Sequence, residues 1–300
     1  MSAKQDTSNT MMCCASCGKA EGDDIQLRTC TACKSVRYCG VTCQKNHRPK
    51  HKKACKKRAA ELRDEILFQQ PESSDRGDCP ICLLPLPIDE DKSAYHPCCS
   101  KLVCMGCTVA NRNRLREQRL QPTCPFCRDA IQNGEVKQKM MKRIQANDPS
   151  AMCEMGTRQC KEGKYAEAFQ NFSKAAELGH TRAHFHLSCM YHNGHGVEKD
   201  DKKEVYHLEE AAMKGHPEAR AGLAHHELKK GRPDIAGKHN IIAAKLGYDK
   251  AMQMLKRFYT RGFVSKDDYA AALSAYQAAV DAANSPQREA AEVELKKLVQ

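Results

Sequence analysis

Residues 79–127 read CPICLLPLPIDEDKSAYHPCCSKLVCMGCTVANRNRLREQRLQPTCPFC, and the spacing of their cysteines decides the fold. They fall as Cys79-x-x-Cys82, the doublet Cys98-Cys99, Cys104-x-x-Cys107 and Cys124-x-x-Cys127. Four such knuckles in so short a stretch cannot be a hydrophobic core. A tetrahedral zinc needs four ligands and a short pair supplies two, so two pairs must share each ion. The expected arrangement is cross-braced, with Cys79, Cys82, Cys104 and Cys107 on one zinc. The other zinc takes Cys124, Cys127 and two ligands from the segment His96-Pro97-Cys98-Cys99.

The same logic applies upstream. Cys14-x-x-Cys17, Cys30-x-x-Cys33, Cys39-x-x-x-Cys43 and His51-x-x-x-Cys55 make eight ligands in four pairs. Interleaving them assigns Cys14, Cys17, Cys39 and Cys43 to one zinc and Cys30, Cys33, His51 and Cys55 to another. Cys13 is left over, because Cys14 has the better knuckle spacing. Ala59, Leu62 and Ile66 then recur at helical spacing, predicting a helix that ends before Pro71. The polar stretch QPESSDRGD, residues 70–78, reads as a linker. Two metal modules are therefore expected at 13–58 and 79–128, joined by helix and linker over 59–78.

Composition agrees with metal rather than disulfides. Sixteen of the 19 cysteines precede residue 128. Met1–Thr10 is polar with no apolar signal core, and no run approaches the roughly 18 apolar residues that span a bilayer. The expected setting is a reducing compartment, cytoplasmic or nuclear, with no membrane partner. Trp is absent and aromatics are few, so small cores must be stapled by metal or built from Ala and Leu. Zinc binds thiolate, so four ions on fifteen cysteines and one histidine lower the formal charge of +12 to about +5. Much of the remainder is local: residues 44–63 hold nine Lys/Arg against one Glu. Such a run suits nucleic acid or nuclear import, but no aromatic is interleaved for base stacking. A solvated helix face is the simpler reading.

Beyond residue 150 alanine replaces cysteine. AAELGHTRA, AAMKGHPEA and AAKLGYDKA begin at Ala175, Ala211 and Ala243, with a weaker copy near Ala278–Ala283. Tyr165, Ala168, Phe169, Phe172 and Ala176, and later Tyr269, Leu273, Tyr276 and Val280, keep helical spacing. Each unit is read as two antiparallel helices that bury a face only by stacking. Gly179, Gly215 and Gly247 stand where helices end and φ > 0 is needed. An α-solenoid is expected over 150–285, followed by a C-terminal capping helix over 286–300. His184, His186, His192, His195, His225 and His226 offer a third metal site only weakly, since His184 and His186, two apart on a helix, point to different faces. Cys153, Cys160 and Cys189 lack knuckle spacing and read as small buried residues. No phosphate loop, nucleophile elbow or carboxylate pair stands out, so small-molecule catalysis has no support.

Three resemblances follow from these motifs. The stretch RYCGVTCQKNHRPKHKKAC, with Tyr38 before Cys39, Gln44 after Cys43 and a second histidine at His47, resembles the MYND-type zinc finger. That family commonly docks short proline-containing peptides, often with a Trp after the second histidine; Arg48 stands there. Residues 79–127 resemble a RING-type finger. Cys99, five residues before Cys104 as in the all-cysteine variant, is the preferred ligand of its segment, then Cys98, then His96. RING fingers commonly position a ubiquitin-conjugating enzyme, and the resemblance gives Ile81, Pro125 and Arg128 that contact. The usual loop Trp is replaced by basic TVANRNRLREQRL. The repeats, above all Ala183–Ala219 with its GxGVxxD turn, resemble Sel-one-like repeats, relatives of the tetratricopeptide repeat used as protein-binding scaffolds.

The fold expected is therefore multidomain: two small cross-braced zinc modules of short hairpins and helices, then an all-α solenoid of helical-pair repeats, holding about four zinc ions. The leading functional expectation is a protein–protein interaction adaptor whose solenoid and first finger recruit protein partners. The alternatives are a RING-type ubiquitin-protein ligase (a transferase) and, more weakly, a nucleic-acid-associated regulator.

Overall fold

Metal-ligand spacing shapes the first part of the chain, and alanine periodicity shapes the rest. The computed structural model describes residues 13–131 and 134–299, with side chains to residue 297. The chain forms two compact units, Met1–Gln69 and Gln70–Gln300.

In the first unit, β1 (Arg28–Thr29) and β2 (Arg37–Tyr38) pair antiparallel, with Arg28 opposite Tyr38. Helix α1 spans Val41–Leu67 without interruption, passing through Pro49. Cys43, His47, His51 and Cys55 recur every fourth residue, so they share one face of α1. Lys45, Arg48, Lys50, Lys52, Lys53, Lys56 and Lys57 are exposed around the other faces. Helix geometry thus sorts one dense stretch into a ligand stripe and a solvated cationic surface. The helix expected after the first module begins inside it, because the last ligand pair already needs helical spacing. Ile66 is exposed, and it is Leu67 that is buried. The core is small: Leu27, Tyr38 and the thiols of Cys14, Cys30 and Cys33.

The second unit opens with a finger. A 3-10 turn at Glu90–Lys92, capped by Asp89 accepting from the Asp91 N–H at 3.1 Å, leads into β3 (Ser93–His96). β3 pairs antiparallel with β4 (Lys101–Cys104), Ser93 opposite Cys104 and His96 opposite Lys101. Helix α2 (Met105–Glu117) follows, its first ligand Cys104 serving as N-cap. After α3 (Val136–Gln145) come four antiparallel helix pairs: α4 (Pro149–Lys161) with α5 (Tyr165–Glu177), α6 (Thr181–Asn193) with α7 (Asp201–Met213), α8 (Pro217–Lys229) with α9 (Pro233–Lys245), and α10 (Asp249–Thr260) with α11 (Lys266–Ala282). Asp148, Asp200 and Ser265 cap α4, α7 and α11 through their side-chain oxygens, and Pro begins α4, α8 and α9.

Alanine closes the repeat core. Ala151, Ala175, Ala183, Ala211, Ala243 and Ala272 are fully buried at 0 % exposure, where a larger side chain would hold the helices apart. Phe172 and Leu255 are equally buried and fill the remaining space. Gly179, Gly215 and Gly247 adopt φ of 84°, 85° and 89° just past their helices. The second glycine of the α6–α7 turn is tighter still. Gly196 has φ +72°, and a Cβ there would lie 2.7 Å from the carbonyl carbon of Tyr165. Gly196→Ala is expected to cost about 2 kcal/mol or more, from left-handed strain plus that clash, read as a lowered urea midpoint by circular dichroism.

The segment read as a capping helix forms α12 (Pro286–Val299), which packs against α2 of the finger. Finger and repeats are consequently one packed unit rather than beads on a linker. The linker takes part: the Asp75 N–H donates to the Gly215 carbonyl at 3.2 Å.

Candidate metal centres

The backbone repeats one device at four of the knuckles. The carbonyl of the first ligand accepts the N–H four residues on: Cys14 from Gly18 at 2.8 Å, Cys30 from Lys34 at 2.9 Å, Cys79 from Leu83 at 2.9 Å and Cys124 from Arg128 at 3.0 Å. Each donor residue has positive φ, between 53° and 73°. This turn swings the two sulfurs of a pair to the same side.

Four ligand sets result: Cys14, Cys17, Cys39 and Cys43; Cys30, Cys33, His51 and Cys55; Cys79, Cys82, Cys104 and Cys107; Cys98, Cys99, Cys124 and Cys127. Within each set the ligand atoms lie within 4.8 Å of one another. A tetrahedral zinc with Zn–S near 2.3 Å places its sulfurs about 3.8 Å apart. The Sγ–Sγ separations are 3.6 Å for Cys17–Cys39, 3.8 Å for Cys30–Cys55, 3.8 Å for Cys82–Cys104 and 3.8 Å for Cys99–Cys124. Cys33 Sγ and His51 Nε2 are 3.2 Å apart. The cysteines are free thiols, not disulfides. The residues therefore fit zinc, and four sets fit about four ions.

Electrostatics agree. Cys14 is drawn down to about 6: burial raises it, but the N–H groups of Cys39, Cys17 and Ser16 outweigh that. Its partner Cys39 is pushed up to about 12 by sharing a hydrogen bond with Cys43 and then Cys17. Likewise Cys82 is drawn down to about 7 against burial, through the Leu84 N–H and Arg288, whereas burial and its neighbours push Cys107 well up. Each set favours a first thiolate and resists the next, until a cation neutralises them.

Of the contested segment, Cys98 and Cys99 join the second site of the finger, with Cys98 Sγ 3.3 Å from Cys127 Sγ. His96 does not join it. Its carbonyl takes the knuckle role, accepting from Ser100 N–H at 2.8 Å, while its buried Nε2 has no partner among the described residues. Ile81 and Arg128 are exposed and Pro125 is half-buried; Leu83 and Phe126 are exposed beside them in sequence.

Several residues beyond the ligands support the metal sites, Tyr38 and His47 from within the first motif and the others from distant elements. Tyr38 Oη meets His47 Nδ1 at 3.0 Å, and the His47 ring stacks 5.5 Å from His51, steadying a ligand. Arg143 of α3 donates to the Cys98 carbonyl at 2.6 Å. Most consequential is Arg288 of α12, which is 9 % exposed. It donates to the Pro85 carbonyl at 2.7 Å, the Leu84 carbonyl at 3.2 Å, the Ala283 carbonyl at 2.5 Å and the ligand sulfur of Cys82 at 3.3 Å. Gly106 makes room: a Cβ there would lie 2.9 Å from Arg288 Cγ. Gln287 donates to the Gly106 carbonyl at 3.1 Å, and Glu294 receives Arg112 and Asn113 at 2.8 Å each.

Several solenoid histidines are engaged within the repeats. His184 and His207 share a 3.0 Å Nδ1–Nδ1 contact, and His192 and His226 both reach Glu204 Oε1, at 3.0 and 2.8 Å. His239, 2 % exposed, is pushed down to about 3 by burial and then by Arg220. Its folded pKa lies below the unfolded value near 6.5, so the unfolded chain binds the extra proton and stability falls as pH drops below 6.5. The gap in unfolding free energy between wild type and His239→Asn should narrow by about 2 kcal/mol from pH 7 to pH 5. Parallel pH profiles in urea melts would contradict this.

These features define a multi-zinc protein in which fingers accompany a helical-repeat scaffold. Residues 14–55 match the MYND finger, and residues 149–180 and 181–216 each match the Sel1 repeat, so the chain carries both. The chain is 38 % identical over 56 residues to HcpC of Helicobacter pylori, a proposed beta-lactamase, across 19 % of each chain. Among solved structures it is similar to a Sel1 repeat protein from Oxalobacter formigenes, at 28 % identity and TM-score 0.42, covering 52 % of this chain and 65 % of that one. It is also similar to a protective antigen of uropathogenic Escherichia coli with an SLR fold, at 27 % identity and TM-score 0.41, covering 49 % and 33 %. The chain thus spans about a fifth of the curated relative and less than two thirds of either structure.

Proposed function

We propose that this chain is a zinc-stapled adaptor that joins protein partners through its repeats and its first finger, in the reducing setting of cytoplasm or nucleus. One observation carries the reading. Every metal set has four protein ligands and so no open position, which is the mark of structural rather than catalytic zinc. The metals supply rigidity and leave the surfaces to do the work. The MYND and Sel1 matches agree, since Sel1 repeats generally mediate protein–protein interaction. The test is affinity capture with the full zinc-loaded chain from nuclease-treated, reduced extract. Discrete proteins should be retained, and those held by the first finger should be lost when the metal is chelated. A chain that retains none overturns the reading.

A second reading is favoured by exposed apolar side chains on the second finger's first and last knuckles: Ile81, Leu83 and Phe126. These suit docking of a ubiquitin-conjugating enzyme. Ubiquitin chain formation with a panel of such enzymes, reduced by Ile81→Ala and by Arg128→Ala, would support it. No activity from the wild type would remove it. The cationic surface of α1 keeps a nucleic-acid reading testable by the salt dependence of duplex binding, where a slope near zero would dismiss it.

A further inference from the structure

Within the second unit, a cavity of about 1480 Å³ lies between the finger and the repeats. This exceeds the roughly 300–1,000 Å³ that suits small ligands. Finger residues around Leu86–Lys92 form one wall. The other wall comes from α6, α8, the α9–α10 turn and the end of α11, with α12 along one side. Because consecutive repeats contribute in turn, a ligand that touches them all must be extended rather than compact.

The lining has two characters. Leu86, Ile88, Phe185, Leu246 and Val280 give it apolar ground. Around them stand nine Asp/Glu against five Lys/Arg. That is a local inversion in a chain whose formal charge is +12. An anionic, partly apolar channel rejects nucleic acid and acidic peptides, and it gathers cations that also carry apolar groups.

We propose that this cavity is the docking site for an extended segment of a partner protein that alternates lysine or arginine with apolar side chains. The proposal rests on the adaptor reading and gives one of its surfaces a chemistry. The probes are fluorescent peptides alternating lysine with valine, and matched peptides alternating glutamate with valine, titrated into the full zinc-loaded chain. The lysine peptide should bind and the glutamate peptide should not. Ala282→Arg places a cation on an exposed position of the lining, and Asp91→Lys reverses a charge there. Each should weaken binding by about tenfold or more. Glu198→Lys changes the charge as much at an exposed site outside the lining and should shift affinity by no more than about twofold. Matching thermal melts establish that the variants are folded. No binding of the lysine peptide, equal binding of the glutamate peptide, or equal loss in Glu198→Lys overturns the proposal. The two readings separate cleanly. Proteins captured from extract by a chain whose cavity does not bind the lysine peptide remove this docking site and leave the adaptor. A cavity that discriminates as described, in a chain that captures nothing from extract, removes the adaptor and leaves the site.

Discussion

Chelation should unfold both fingers while leaving most of the helical signal in place. Elemental analysis of the purified chain should first return about four zinc ions, as the four ligand sets require. Removing them leaves buried thiols such as Cys14, Cys33, Cys79 and Cys104 around no hydrophobic core large enough to replace the metal. Each structural zinc supplies roughly 10 kcal/mol of folding energy in small fingers. The losses should be concentrated in β1 to β4, α2 and the ligand-bearing part of α1. Helices α4 to α11 contain no ligand and keep their own apolar clusters, so their circular dichroism should persist. Their melting temperature should nevertheless fall, because the finger that packs against α12 is gone. A chelated chain that melts as before would mean that the fingers do not support the repeats. Two zincs or fewer would mean that one finger is not a two-zinc module.

Arg288→Ala should detach α12 from the finger. Four hydrogen bonds and a buried cation disappear; the Pro85 and Ala283 carbonyls lose this donor, and the Leu84 carbonyl keeps the Cys79 N–H at 2.9 Å. The expected cost is about 3 kcal/mol, since truncating one partner of a buried charged network leaves the others unmatched. Hydrogen exchange should quicken across α12 and the exposed side of α2 and stay unchanged in α4 to α7. Zinc affinity at the site holding Cys82 should fall by about tenfold or more, because the cation beside that sulfur is lost. Lys296→Ala, whose side chain is 72 % exposed, should do neither. If Arg288→Ala changes stability but not zinc retention, the arginine is a packing residue only.

The contrast between what could be read and what could not follows from distance along the chain. The ligands were legible because a metal imposes its spacing locally, two or three residues at a time. The repeat boundaries were legible because left-handed turns at Gly179, Gly215 and Gly247 demand glycine. The segment His96–Cys99 was legible as a ranking, Cys99 before Cys98 before His96, since adjacency of Cys98 and Cys99 breaks the usual spacing, and only the folded hairpin leaves His96 out of the ligand set. The helix α1 blurred a boundary because its ligand stripe and its continuation share one periodicity. Arg288 gave no signal. Its role depends on a ligand 206 residues earlier and on the missing side chain of Gly106. Nothing in the composition of α12 distinguishes it from a solvated terminal helix.

That long-range clasp has a consequence for biosynthesis. The second finger leaves the ribosome early and can gather its zinc at once, yet the α12 face of α2 stays bare until Gln287 and Arg288 emerge. Gly106 and Gln287 are 181 residues apart, which is roughly ten to thirty-five seconds of translation. Throughout that interval the nascent chain displays a finished metal site with an unfinished flank, open to whatever in the cell binds short helices.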